Sequence, residues 1–315
     1  MPSRLLVDVG QTGTRLRIES DAAGTIDDDT AGLRPGSHPE SYLAQVAHEA
    51  LSRHQVRVGT VAAGLSGLQG AGGDAESVLG RLAGFGVSRV VLADDAVTGY
   101  LAALALAPGV VLSVGTGVVA LAVTGDQALA RVNGWGHLLG DDGGGYWIGR
   151  AGLHAALCAF DGRGPRTLLL DAAAARLGPA QEIGVTLQLD PDRVRTIAAF
   201  AKDVLDLATG GDRVATAIRA AAAAELARNA DAAARRADDV RGEQIPVSWS
   251  GSLLTVQPVL REALQLELAR LDSRYLLTPP GGTQLDGARL LIDLPATHPL
   301  SALVRRASSD SEGNA

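Results

Sequence analysis

Leu5-Leu6-Val7-Asp8-Val9-Gly10-Gln11-Thr12-Gly13-Thr14-Arg15-Leu16-Arg17-Ile18 is an apolar run, a tight polar turn and a second run patterned like a strand. Aliphatic and β-branched residues flanking a Gly-rich turn predict strand, turn, strand. The small turn residues let backbone N–H groups and hydroxyls converge on one object, and Asp8 closes the strand beside them. A phosphate with a bound magnesium ion suits that set, because glycine lets backbone dipoles approach an anion closely. An ordinary hairpin fits this stretch equally well, so the rest of the chain has to decide.

About a hundred residues on, the pattern returns. Val110-Val111-Leu112-Ser113-Val114 enters Gly115-Thr116-Gly117 and leaves as Val118-Val119-Ala120-Leu121-Ala122-Val123. Such an echo is a duplication signal, and two phosphate-type turns, one per half, are far less expected by chance than either alone. Pro108-Gly109 marks the boundary between the halves.

Arg89-Val90-Val91-Leu92-Ala93 is a buried-type strand that ends in Asp94-Asp95, and a helix is predicted from Ala96 to Leu106. Either acid can be that helix's N-cap. Two acids at a strand's carboxyl end also fit the placement of a general base in an open α/β sheet. The densest stretch is Gly134 to Gly149, with seven glycines, Trp135, Trp147, His137, Asp141 and Asp142. So many glycines imply backbone bent closely around something; His137 by itself reads as a structural histidine. Ile245 to Ser250 is a strand that meets Gly251-Ser252, where a helix spanning Leu253–Leu271 is predicted to begin, a junction able to hold a ligand at a helix N-terminus.

Elsewhere the reading is structural. Asp27-Asp28-Asp29 reads as a solvated turn, and Pro39 to Arg53 as a helix with Ser37 as its cap. The Ala-rich segment from Arg166 to Ala237 forms several helices. Tyr275-Leu276-Leu277 is a last short strand, Leu285 to Leu294 a helix, and the polar end from Ser308 is expected to fray.

The composition narrows the class. A chain of 315 residues with 46% hydrophobic and 20% charged residues is globular and long enough for two domains. A formal net charge of −7 argues against nucleic acid or an anionic membrane as partner. The single cysteine, Cys158, excludes a disulfide framework and a cysteine-ligated metal cluster within one chain. Met1-Pro2-Ser3-Arg4 leads straight into the first strand, and no apolar run reaches transmembrane length, so a cytoplasmic location is expected. Lys202 is the only lysine, which removes a P-loop NTPase and the protein-kinase catalytic lysine. Any nucleotide phosphate must be held by backbone, hydroxyls and metal.

In this order the motifs resemble the actin / sugar-kinase / heat-shock-chaperone ATPase superfamily. They are most similar to its branch of N-acetylglucosamine kinases and BadF/BcrA-type ATPases that activate reductases and dehydratases. Asp8 to Arg15 resembles the first phosphate motif, Gly115-Thr116-Gly117 the second, Ser250-Gly251-Ser252-Leu253 the adenosine motif and Asp286-Gly287-Ala288 a connecting segment. Gly134 to Gly143 is the most family-specific match. The resemblance implies an α/β fold of two actin-like (ribonuclease H-like) domains, 1–108 and 109–292, with a nucleotide cleft between them and a C-terminal helix and tail at 293–315. It implies ATP and Mg2+ as cofactors and transfer of the γ-phosphoryl group to a sugar hydroxyl, at C6, of an amino sugar. By the same likeness Asp95 is the general base and Asp8 the magnesium ligand, acting through water. Gly10, Gln11, Thr12, Thr14, Gly115, Thr116 and Gly117 bind phosphate, and Gly251 and Ser252 bind adenosine. Ser37, His38, Asp95, Val119, Trp135 and Asp141 line the sugar, and a homodimer is implied by analogy.

Two departures stand out. Where those kinases follow the second turn with Ser and a sugar-contacting Asn, this chain has Val118 and Val119. Where they place another Asn before the first helix, it has Gly36-Ser37-His38. A missing partner for a buried sugar group costs roughly 1–3 kcal/mol, so the phosphate machinery matches better than the acceptor pocket. An activating ATPase would need cysteines for a cluster shared between subunits, and a non-catalytic nucleotide-binding protein would not need Asp8 and Asp95.

Overall fold

The computed structural model describes residues 3–21, 23–34, 36–68, 73–124, 128–237 and 244–309. The Gly-rich loop at 69–72, the acid pair at 238–239 and the end beyond 309 lie outside them. The chain divides into two compact units. One holds the chain through Ala107 and from Pro280 onward, with the short stretch ending at Leu129; the other is Pro108–Gly125 with Ala130–Pro279.

In the first unit β1 (Arg4–Val9), β2 (Thr14–Ser20) and β3 (Gly24–Thr30) form a meander. Then come α1 (Pro39–His54), β4 (Thr60–Leu65), α2 (Ala75–Leu82), β5 (Arg89–Asp94) and α3 (Asp95–Leu104). The second unit repeats the meander with β6 (Gly109–Val114), β7 (Val118–Val123) and β8 (Leu129–Asn133). Helices follow: α4 (Gly145–Phe160), α5 (Leu169–Leu177), α6 (Ile183–Leu189), α7 (Arg193–Ala199), α8 (Ala201–Thr209) and α9 (Arg213–Arg236). β9 (Ile245–Ser250), α10 (Ser252–Val256), α11 (Pro258–Leu271) and β10 (Tyr275–Leu277) complete it. The chain then returns to the first unit as α12 (Gln284–Ile292), a 3₁₀ turn at Pro299–Leu303 and β11 (Arg305–Ser308).

The sheets run β11-β5-β4-β1-β2-β3 and β10-β9-β6-β7-β8. Without β11 the two orders are the same, with the first strand central, antiparallel to the second and parallel to the fourth. The sequence echo is thus a repeat of whole sheets. The central parallel strands are buried on both faces, as Val61-Ala62-Ala63 and Val90-Val91-Leu92 show, which is why they read as unbroken apolar runs. Each unit has its own core, one around Leu5, Val7, Leu43 and Leu92, the other around Val110, Leu112, Phe200, Leu226 and Leu264.

Several local expectations are corrected. Asp27-Asp28-Asp29 lies within β3, an edge strand. Its acids pair with Arg17 at 2.6 Å and with Arg53 and His54 at 2.7 and 3.2 Å, and edge charge discourages strand addition. His38, not Ser37, is the N-cap of α1, and its side chain makes no capping bond. The predicted helix Leu253–Leu271 is two helices, because Pro258 cannot donate to the preceding turn and instead starts α11. Residues 280–292, read with the second domain, pack with the first, α12 lying on α3. Within 293–315, read as helix and tail, Arg305–Ser308 adds an antiparallel strand to β5.

A Cβ at Gly287 would meet Thr98 O at 1.9 Å, so α12 reaches α3 only because the residue is glycine. Gly287→Ala is expected to lose about 1–3 kcal/mol of stability in urea titration. Gly80→Ala on α2, where a Cβ meets nothing within 4 Å, should gain up to about 1 kcal/mol. Equal effects would show that the α3–α12 approach is not the constraint.

Candidate active site

β5 ends where the backbone of Asp94 is extended, and the Asp94 carboxylate accepts from Ala96 N at 3.0 Å, capping α3. Capping therefore occupies the first acid of the pair. Asp95, one residue on, is half-buried and hydrogen-bonds Asp94 and Ser66. Burial, then the neighbouring charges of Asp94 and Asp8, hold its carboxyl well above the usual carboxylate range, and the Ser66 hydroxyl opposes them. Asp8, on β1, which lies across β4 from β5, is pushed up to about 6 by burial, against the pull of Arg15 at 3.9 Å. Three carboxyl groups thus gather at the carboxyl ends of β1 and β5.

Beyond Asp8, Gly10 N donates to Gly13 O at 3.0 Å and Leu33 N to Gly10 O at 2.9 Å, which closes and braces the first turn. Gln11 and Thr12 are exposed, and their amides bond to no described residue. Thr14 is placed differently from the other phosphate candidates. It is fully buried, and its hydroxyl donates to Tyr42 at 3.2 Å.

In the second unit Gly115 N donates to Gly117 O at 3.0 Å. Gly145 N and Tyr146 N, in the first turn of α4, donate to the carbonyls of Gly115 and Thr116 at 2.9 Å each. The carbonyl side of this turn is therefore occupied, while the amides of Thr116 and Gly117 bond to no described residue. Both turns keep the free N–H groups that an anion requires. Gly251, with φ at +87°, brings the start of α10 onto Val114; a Cβ there would meet Val114 O at 2.4 Å. Ser252 opens that five-residue helix.

The candidate sugar residues are spread out. Val119 is half-buried under Gly134, Trp135 is exposed, and the Asp141 carboxylate accepts from Val118 N at 3.2 Å. Burial raises the Asp141 carboxyl, against the Val118 amide and His137. Ser37 and His38 line a groove of about 560 Å³ with Ser41, Gln45, His48 and Arg81, a lining that includes neither Asp8 nor Asp95. Asn133 and Asn229, which hold Asp141 and Asp142 in place, escaped the sequence reading. The only local signal is an Asn preceding Gly134 at a strand end, where positive φ favours both residues.

Among the described residues no group of three or more His, Cys, Asp or Glu is arranged to hold a metal ion. A half-buried carboxylate such as Asp8 suits magnesium, which takes one or two protein carboxylates and fills its other positions with phosphate and water. No helix of the described residues is long and apolar enough to cross a membrane.

The BadF/BadG/BcrA/BcrD ATPase family model matches residues 7–271. The chain is 34% identical over 83 residues to an N-acetylmuramic acid/N-acetylglucosamine kinase of Clostridium acetobutylicum, covering 26% of this chain and 27% of that one. It is 28% identical over 163 residues to the N-acetyl-D-glucosamine kinase of Dictyostelium discoideum, 51% of each. It thus spans about a quarter and about half the length of these curated relatives. Its fold is that of a proposed N-acetylglucosamine kinase from Chromobacterium violaceum, with a TM-score of 0.69 and 24% identity over 93% of this chain and 99% of that one.

The folded state holds the proton of Asp95 more tightly than the unfolded chain does, so stability falls as pH rises through the folded-state value. Asp95→Asn carries no such burden. In ligand-free protein it should melt higher than the parent at about pH 8, and the gap should close as the pH approaches the ordinary carboxylate range near 4. A gap independent of pH would show that the carboxyl is not strained by burial.

Proposed function

The chain belongs to the BadF/BadG/BcrA/BcrD ATPase family, and from that premise we propose that it is an ATP-dependent carbohydrate kinase. It transfers the γ-phosphoryl group to a hydroxyl of an amino sugar such as N-acetylglucosamine or glucosamine, at C6. The observation that carries this reading is the division of labour at the end of β5. Asp94 is occupied as a helix cap, which leaves Asp95 beside Asp8 with a carboxyl of raised proton affinity. A base is most effective when its pKa lies near the working pH.

In this reading the exposed amides of Gln11 and Thr12, and those of Thr116 and Gly117, donate to phosphate oxygens. Gly251 and Ser252 contact the adenosine. Asp8 holds magnesium through water; the ion, when bound, neutralises charge on the phosphates. Asp95 orients the acceptor hydroxyl and takes its proton as the phosphorus–oxygen bond forms. The phosphoryl group itself needs little covalent help, so positioning and electrostatics supply most of the rate. Thr14, buried against Tyr42, braces β2 and stays out of the phosphate set. Asp141, Trp135 and Val119 face the acceptor. The named activities of the two curated relatives, acting on N-acetylglucosamine and N-acetylmuramic acid, support an amino sugar.

ADP release, coupled to a reporter and run across amino sugars and hexoses, is expected to rise with at least one amino sugar. Stimulation by none of them would sink the kinase reading. Asp95→Asn should cut transfer by three orders of magnitude or so, within the ~10²–10⁴ contributed by a positioned base, while nucleotide still binds. If Asp94→Asn is the inactive variant and Asp95→Asn keeps its rate, the base is the other acid.

A further inference from the structure

The loop from Gly134 to Gly140 leaves its large apolar side chains outside: Trp135, Leu138 and Leu139 are 74%, 82% and 86% exposed, while His137 is half-buried against the Tyr146 ring at 4.8 Å. Hydrophobic burial therefore does not hold its shape. The polar contacts at its base do. Asn133 Oδ1 accepts from Gly134 N at 2.9 Å and from Asp141 N at 2.8 Å, which ties the two ends of the loop to one atom. A Cβ at Gly140 would lie 2.5 Å from that same oxygen, so the chain presses onto it as closely as glycine allows.

Two backbone donors can face only the oxygen of a carboxamide, so the orientation of Asn133 follows from its partners. Its Nδ2 must then point at Asn229 on α9, whose Oδ1 accepts at 3.2 Å, and Asn229 Nδ2 is left to donate to Asp142 O at 3.3 Å. At the other end Asp141, held at a φ of +61°, turns its carboxylate onto the second phosphate turn. It accepts from Val118 N, and its Oδ2 lies 2.4 Å from where a side chain at Gly117 would begin.

We propose that Asn133, backed by Asn229, is a positioning residue that fixes Asp141 and, through it, the Gly115-Thr116-Gly117 turn. This rests on the kinase reading for its catalytic consequence. The coupling itself, from Asn133 to the Val118 amide, does not. Asp141 then serves the turn as a substitute side chain for Gly117, and a shift at Asn133 is felt at the phosphate amides.

Asn133→Gly separates the carboxamide from the backbone, because glycine accepts the positive φ of position 133 without strain. Asn133→Asp keeps an oxygen for the two amides and loses the donor to Asn229. Amide hydrogen exchange, Mg-ADP calorimetry and steady-state kinetics on the whole chain read the outcome. Asn133→Gly should speed exchange at Val118 and Asp141, weaken Mg-ADP about tenfold and lower kcat at least as much, raising the nucleotide KM more than the sugar KM. Asn133→Asp should keep the exchange protection and most of the nucleotide affinity, and Asn229→Ala should fall between the two. Unchanged exchange at Val118 in folded Asn133→Gly would overturn the proposal, as would equal loss of both KM values with native exchange. If no sugar is phosphorylated by the parent, the kinase reading fails, while exchange at Val118 still decides the coupling.

Discussion

Helix α3 lies closer to its neighbours than a methyl group permits. A Cβ at Gly64 would sit 2.2 Å from Thr98 Oγ1, and one at Gly287 would sit 1.9 Å from Thr98 O. β4 on one side and α12 on the other therefore hold α3 at Thr98. That seating carries the first turn of the helix to the end of β5, where Asp94 caps it, and sets Asp95 beside Asp8. The carboxyls do not gather because they attract one another. Backbone packing places them there; burial raises the carboxyls of Asp8 and Asp95, and at Asp95 the charges of Asp94 and Asp8 add to it. A site that keeps carboxyl groups crowded in a half-buried corner is suited to a cation and to a hydroxyl whose proton must be taken.

The repeated sheets hold their turns by different means. In the first unit, Leu33, in the segment after β3, braces Gly10, and Thr14 with Tyr42 anchors the outgoing strand. In the second, the turn is one residue shorter, its carbonyls are satisfied by α4, and Asp141 fills the space beside Gly117. The register shows the same divergence in chemistry. The position of Asp8 on β1 corresponds to Ser113 on β6, and Ser113 makes a 2.7 Å hydrogen bond with Ser250 on the neighbouring strand.

Much of this was legible because its signals are local. Val110–Val114 and Val90–Leu92 read as strands because both their faces are buried, and Gly115-Thr116-Gly117 reads as a turn because glycine and threonine suit one. β3 was hidden because its acids look like a solvated turn, and only backbone pairing with β2 makes an edge strand of them, their charges being met by Arg17, Arg53 and His54. β11 has no strand pattern of its own; Arg305–Ser308 is a strand because the edge of β5 is open to it. The return of α12 to the first unit rests on one glycine meeting one carbonyl across almost two hundred residues of chain, which no window of sequence contains.

The order of strands and turns, the repeat of the two halves, the exclusion of a P-loop and the family likeness all follow from the residues alone, because hydrophobic period, turn chemistry and the presence of a single lysine are properties of the chain. That Asp94 is taken up as the cap of α3, that Thr14 points inward, and that Asn133 and Asn229 contact Asp141 and Asp142 were decided only in three dimensions. Each depends on which amide lies within about 3 Å of a given oxygen, and that distance is set by how helices seat on sheets rather than by the identity of the residue that carries the oxygen.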